Sequence, residues 1–262
     1  MPAQLTSATD VRFRQALILW GTFFALNVVL NGTIPFILGA DLHAWTASTA
    51  KAILFPLLIY GVLFLVVPLM LTKGLATVRE PAFLIPLILA VTAISLWFVF
   101  RGVATVAILV LAHLHWRFDL SEIGFRSHGW RGDLIAVILP GLLAAVAGLL
   151  QAGTWSPEPG RALLSALDRL FANPASSVEN LFYFGFIAER LAPKTGRWLT
   201  PILIALMYTA HEMSNPEYWY KGMSFGFVFV GVALITALYL WRRNVVAIWL
   251  CDGLRWFLSG LI

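Results

Sequence analysis

The chain is 262 residues long, 60% hydrophobic and only 12% charged, with a formal net charge of +5. That balance excludes an ordinary soluble domain, in which charged residues make up about a quarter of the chain. It reads as a polytopic membrane protein, whose basic residues mark the sidedness of its loops and not a nucleic-acid surface. The single cysteine, Cys251, excludes an intrachain disulfide and a cysteine-rich metal site, and is read as a buried small apolar residue.

In chain order, Met1 to Asp10 is polar, and the apolar run that begins near Gln15 is followed by no small-residue cleavage pattern. The first span is therefore expected to stay as a transmembrane helix and not to act as a signal peptide. Apolar length and polar breaks give candidate spans over residues 15–38, 52–72, 82–100, 102–116, 133–152, 176–190, 199–213, 222–241 and 244–262. From Ala82 to Trp116 the one strong interruption is Phe100-Arg101-Gly102. A single helix there would measure about 50 Å against a hydrocarbon core of about 30 Å, so a tight hairpin is expected. The expected fold is thus all-α: one membrane domain over residues 1–262, an integral multi-pass bundle of eight or nine helices in the lipid bilayer of a cell membrane. With the N-terminus inside, twelve basic residues fall on the cytoplasmic side, Arg12, Arg14, Lys194 and Arg197 among them, and five fall outside.

Between the fifth and sixth spans, GRALLSALDRLFANP (residues 160–174) places Leu163, Leu164, Leu167, Leu170 and Phe171 on one helical face and Arg161, Asp168 and Arg169 elsewhere. This pattern predicts an amphipathic helix lying on the membrane surface, either as a plain connector or as a roof over a site beside it.

Charged side chains at bilayer depth are costly, so each needs a reason. Glu179 lies near the start of one span, with Asn180 beside it; His211 lies near the end of the next, and Asp252 in the middle of the last. Consecutive membrane helices run antiparallel, which places Glu179 and His211 at similar depth whichever way the chain faces. A carboxylate and an imidazole converging in a partly dry cavity are suited to activating water. The same two groups could instead stabilise helix association, with no chemistry. Asp252 with Arg255, three residues on, can form an intrahelical ion pair or supply a cation to a site. Zinc is poorly supported, because Glu179, His211 and Asp252 would have to assemble without the usual histidine-rich set. His113 and His115 point to different sides of a helix, His43 and His128 fall in loops, and Glu189 with Arg190 is expected at a water boundary. Glu212, next to His211, is a reserve candidate.

The stretches SSVENLFYFGFIAERL, ILIALMYTAHEMSNPE and RRNVVAIWLCDGLRWFL, preceded by FDLSEIGFRSHGWRGDL at residues 118–134, resemble the CAAX protease and bacteriocin-processing family of membrane-embedded endopeptidases. That family's signature is a Glu-Glu-x-x-x-Arg helix, a Phe-x-x-x-His helix and a last helix with His-x-x-x-Asn or Asp. Glu179 and His211 fit it. Asn180 stands at the second Glu, Phe184 at the Arg, Met207 at the Phe, Asp252 at the His and Trp256 at the Asn. The resemblance covers residues 118–262; the spans in 1–117 resemble nothing specific. It implies a glutamate-activated water at Glu179 assisted by His211, with Asn180 and Asp252 positioning water or the scissile carbonyl. It also implies a membrane-associated peptide or protein substrate, lipidated or not, and no cofactor. The departures leave open a catalytically degenerate scaffold or regulator with the same fold. A small transporter, with Glu179, Asp252 and Arg255 lining a path, is the third alternative.

Overall fold

The computed structural model describes residues 8–29, 71, 80–81, 110, 113–115, 117, 119–152, 158–172, 179–213, 225–259 and 261. The described residues hold helices and turns and no strand. Six α-helices are found among them: α1 (Ala8–Asn27), α2 (Trp130–Ala152), α3 (Pro159–Leu167), α4 (Glu189–Glu212), α5 (Phe225–Arg242) and α6 (Val245–Ser259). The amphipathic segment forms as expected: α3 continues into a π-helical turn at Asp168–Ala172. A second π-helical run, Leu181–Ala188, leads into α4. The spans expected over residues 52–72, 82–100 and 102–116, and the hairpin between the last two, lie outside the described residues apart from isolated positions. Among the described residues, α5 is the helix long and apolar enough to cross a membrane.

The chain clusters into two compact units, Met1–Ala52 with Phe186–Leu240, and Ile53–Gly185 with Trp241–Ile262. In the first, α1 packs on α4. The buried residues of α1, Ala16, Leu19, Phe23 and Asn27, recur every three or four positions and form one stripe. On α4 the matching stripe is Thr200, Ile204, Met207 and His211. The Trp20 indole N–H donates to the Leu203 carbonyl at 2.8 Å, and Lys194 Nζ pairs with Asp10 at 2.7 Å. Because Asp10, Trp20 and Phe23 meet Lys194, Leu203 and His211 in that order, α1 and α4 run parallel. Gly196 breaks the regularity of α4 with φ 71°, a left-handed value that suits glycine. The Thr200 hydroxyl closes the break by donating to the Gly196 carbonyl at 2.7 Å. From α5, Tyr239 reaches Glu189 Oε1 at 2.8 Å.

In the second unit, α6 packs along α2 and against α3. Ahead of α2, a 3-10 turn at Leu120–Ile123 is capped by Asp119, whose carboxylate accepts from the Ser121 N–H at 2.8 Å, and closed by Gly124 at φ 80°. Its carbonyl at Gly124 accepts from Val245 N–H at 2.8 Å, so the turn abuts the start of α6. Asn244 caps that helix, its Oδ1 accepting from Val246 and Ala247 N–H at 3.0 and 3.3 Å. Below the turn, Asp133 is the hub of a polar staple. Its Oδ1 accepts from Arg242 Nε at 2.9 Å, and its Oδ2 from Asn244 Nδ2 at 3.0 Å and the Ser127 hydroxyl at 3.2 Å. Arg242 Nη2 also donates to the Gly129 carbonyl at 2.9 Å.

The Ser121 hydroxyl and backbone N–H beside Asp119 hold its carboxyl below the ordinary carboxylate value. A depressed pKa contributes stability that is present above the unfolded-state value and lost as pH falls through the folded-state value. Wild type is therefore expected to lose its advantage over Asp119→Asn in the most acidic part of an unfolding-versus-pH series, and to keep it at neutral pH. A constant difference across the whole series would contradict this origin of the cap.

Gly185, in the π-helical run, crosses the 3-10 turn so closely that a Cβ there would collide with the Ile123 carbonyl oxygen. Two stretches that carry the family resemblance thus touch through a glycine. Since the obstacle is backbone in a capped turn, Gly185→Ala is expected to destabilise by about 1–3 kcal/mol through overpacking. Thermal unfolding in detergent checks it; an unchanged transition would mean the crossing is looser than described.

Candidate functional site

Glu179 and Asn180 stand at the head of the π-helical run, whose Phe182, Tyr183, Phe184, Phe186, Ile187 and Ala188 are all buried. A run that is apolar on every side has no solvent face to present, so it is enclosed all round. The two polar residues are carried inside with it: Glu179 is 2% exposed and Asn180 8%. π-Helical turns often coincide with functional positions, because one extra residue re-aims the side chains that follow.

His211, 4% exposed, ends the buried stripe of α4. The Phe23 ring meets it edge-on at 5.8 Å between centroids, and Tyr208 approaches from its own helix at 6.3 Å. α1 therefore helps to form the wall around the imidazole. One turn beyond Phe23, Asn27 is fully buried and its Nδ2 donates to the Phe23 carbonyl at 2.9 Å. The sequence reading did not single out Asn27, although it continues the apolar spacing of Ala16, Leu19 and Phe23. A polar residue at that phase was the available signal.

Asp252 is engaged by two cations. Its Oδ1 accepts from Arg255 Nη2 at 2.7 Å, three residues along α6, and its Oδ2 from Arg169 Nε at 3.1 Å, from the π-helical turn after α3. The Arg169 guanidinium also lies over the Trp256 ring at 5.1 Å. Nearby, Trp249 Nε1 donates to the Leu170 carbonyl at 3.0 Å, and Gly253 lets the Leu170 side chain approach α6. The amphipathic segment is thus latched to α6 by an ion pair and a close-packed leucine. The intrahelical Asp252–Arg255 pair weighed from sequence forms, and Arg169 is the partner that sequence separation hid.

Of the four site residues expected from sequence, Glu179, Asn180 and Asp252 belong to the second unit and His211 to the first. One expectation is corrected. Arg190 is not at a water boundary: it is buried, its Nη1 donates to the Phe186 carbonyl at 3.4 Å, and its guanidinium lies over the Phe186 ring at 3.7 Å. Its neighbour Glu189 is held by Tyr239. A guanidinium lying over an aromatic face has its charge partly offset by the ring. His113 and His115 are exposed, and His115 approaches Glu80 at 3.8 Å. Cys251 is buried. Among the described residues no three His, Cys, Asp or Glu side chains form a group able to hold a metal ion. The chain matches no known family model, no curated protein and no solved structure.

Proposed function

We propose that this chain is a multi-pass membrane-embedded endopeptidase of the CAAX protease-like type, cutting a peptide bond in a membrane-associated peptide or protein. The observation that carries the reading is the burial of Glu179 and His211, at 2% and 4% exposure. Buried ionisable groups are expensive and are retained where they have a task. Membrane placement is supported by α5 and by the outward-facing rows of large apolar side chains. They comprise Ile135, Ile138, Leu139 and Leu142 on α2, and Phe227, Val230 and Leu234 on α5.

In this mechanism Glu179 takes a proton from water as the water oxygen bonds to the scissile carbonyl carbon. His211 stabilises the oxyanion that develops. The C–N bond then breaks, and Glu179 returns the proton to the departing amine nitrogen. No cofactor enters these steps. The test is cleavage of a membrane-anchored peptide library by the purified protein, compared with Glu179→Ala and His211→Ala at matched folding. Loss in both variants is expected. Equal cleavage by both would remove the site assignment. No cleavage by wild type, on a library that an active family member cuts, would remove the enzyme.

A second reading, a non-catalytic scaffold with the same fold, is favoured by one observation. Asp252, at the family's histidine position, has both oxygens engaged by Arg169 and Arg255, so α6 presents an ion cluster there. The same assay decides between the two.

A further inference from the structure

The part of the chain before residue 118 carries no family resemblance, yet α1, from that part, meets the His211 imidazole. Both helices of the pair belong to the first unit. The fully buried Phe23 ring lies at 69° to the imidazole plane, and the Tyr208 ring, from α4 itself, at 74°. A histidine ring turns about its Cβ–Cγ bond on a broad, soft torsion, so its plane is set by what surrounds it. Two rings standing nearly across that plane, one from each helix, oppose the turn, because a close-packed interior has no space for the ring to sweep through. They govern the plane of the imidazole, whatever its nitrogens bond.

Phe23 is held in turn. The regular α-helix of α1 ends at Asn27, and residues 28 and 29 continue as a π-helical turn, where the i→i−4 spacing of donors and carbonyls is lost. At this junction the Asn27 amide donates to the Phe23 carbonyl at 2.9 Å, tying the backbone of residue 23 to a side chain that is itself fully buried. Threonine hydroxyls make the same i→i−4 bond elsewhere in this unit, from Thr195 to the Leu191 carbonyl at 3.0 Å and from Thr236 to the Val232 carbonyl at 2.7 Å. An oxyanion donor is effective only when it lies about 2.7–3.1 Å from the place the oxygen will occupy, and hydrogen bonds weaken steeply with misalignment. Orientation of the imidazole is therefore worth fixing from two sides.

We propose that Asn27 and Phe23 of α1 are positioning residues for His211: the Asn27 amide fixes the backbone of Phe23, and the Phe23 ring, with Tyr208, confines the imidazole to the orientation that serves the developing oxyanion. The inference rests on the peptidase reading, in which His211 has that role. It gives α1 a part in the reaction, although neither of its two residues touches the substrate.

NMR of the full chain in detergent, labelled with 15N-histidine, reads the imidazole independently of activity, with the His211 signals identified by their loss in His211→Gln. Cleavage of a single peptide by the same samples gives kcat and KM. Wild type is expected to show one tautomer of His211 with sharp ring signals. Asn27→Leu leaves both rings in place and Phe23→Leu removes one. Both should bring exchange between tautomers and lower kcat about tenfold to a hundredfold, with KM within about twofold of wild type. Asn27→Thr, which can still donate to the carbonyl four residues back, should recover most of the signal and of the rate. Leu19→Ala, one turn earlier on the same buried stripe, keeps Asn27, Phe23 and Tyr208; it should lose thermal stability but leave the His211 signals and kcat unchanged. Wild-type His211 signals and kcat in Asn27→Leu and Phe23→Leu overturn the proposal. So does equal damage in Leu19→Ala, which would mean a general loosening of α1, and so does a rise in KM alone in Asn27→Leu, which would make Asn27 a substrate contact. Absence of cleavage by wild type, with the NMR response to Asn27→Leu intact, would instead overturn the peptidase reading and with it the purpose assigned to the clamp.

Discussion

Asp133→Ala is expected to lower stability by about 3–5 kcal/mol, the range for stranding one partner of a buried ion pair. The cause is local. Asp133 accepts from Arg242, Asn244 and Ser127 at once, and the Arg242 and Asp133 side chains are only 11% and 15% exposed. Without the carboxylate, the guanidinium is left in a tight seat beside Gly132, where even a Cβ would collide with it. The Asn244 amide loses its acceptor in the same step. Unfolding in detergent of Asp133→Ala, Arg242→Ala and the double variant measures the effect, and the double should fall well short of the sum of the singles. Additive losses would mean that the two side chains act separately and that no staple exists.

On the proposed mechanism, Glu179→Gln is expected to slow peptide cleavage by about a hundred- to ten-thousandfold, the usual contribution of a general base. Gln is nearly isosteric with Glu, so the buried volume at the head of the π-helical run is kept while the proton acceptor is removed. Thermal unfolding of this variant should therefore stay close to wild type, which separates loss of chemistry from loss of fold. The rate constant for a single peptide under saturating substrate is the quantity to follow. A decrease of less than about threefold would take the base role away from Glu179, since general-base contributions are far larger.

Much of the helical framework was legible because long apolar runs declare themselves by length and composition. α2, α5 and α6 fall within a few residues of the runs expected over 133–152, 222–241 and 244–262. The amphipathic helix was legible from its charge and leucine phases alone. Other features depend on tertiary partners. Nothing around Arg169 announces a bond to a residue 83 positions away. Arg190 sits next to a Glu and three residues before Pro193, a composition that resembles a loop; the Phe186 ring and carbonyl that meet its guanidinium are tertiary features no local pattern announces. The π-helical run gave no phase to read, because residues 181–188 are apolar throughout and any helical register looks equivalent. Asn27 is the reverse case: its spacing was readable, but a lone amide near the end of an apolar stripe carries little signal until Phe23 is seen against His211.

The parallel course of α1 and α4 bears on how the chain responds to voltage. In the proposed membrane arrangement, the N-terminal end of α1 and the stretch of α4 around Gly196 share one side, which gathers Arg12, Arg14, Lys194 and Arg197 there. Carrying each such charge through the membrane field costs about 2.3 kcal/mol per 100 mV. An energised membrane, negative inside, therefore holds this end on the inner side and opposes inversion of the helix pair. His211 lies 14 residues beyond Arg197, about 21 Å further along the helix. In that proposed arrangement its imidazole would face the electrically positive side, and a substrate it helped to cut would meet it from the outer half of the bilayer.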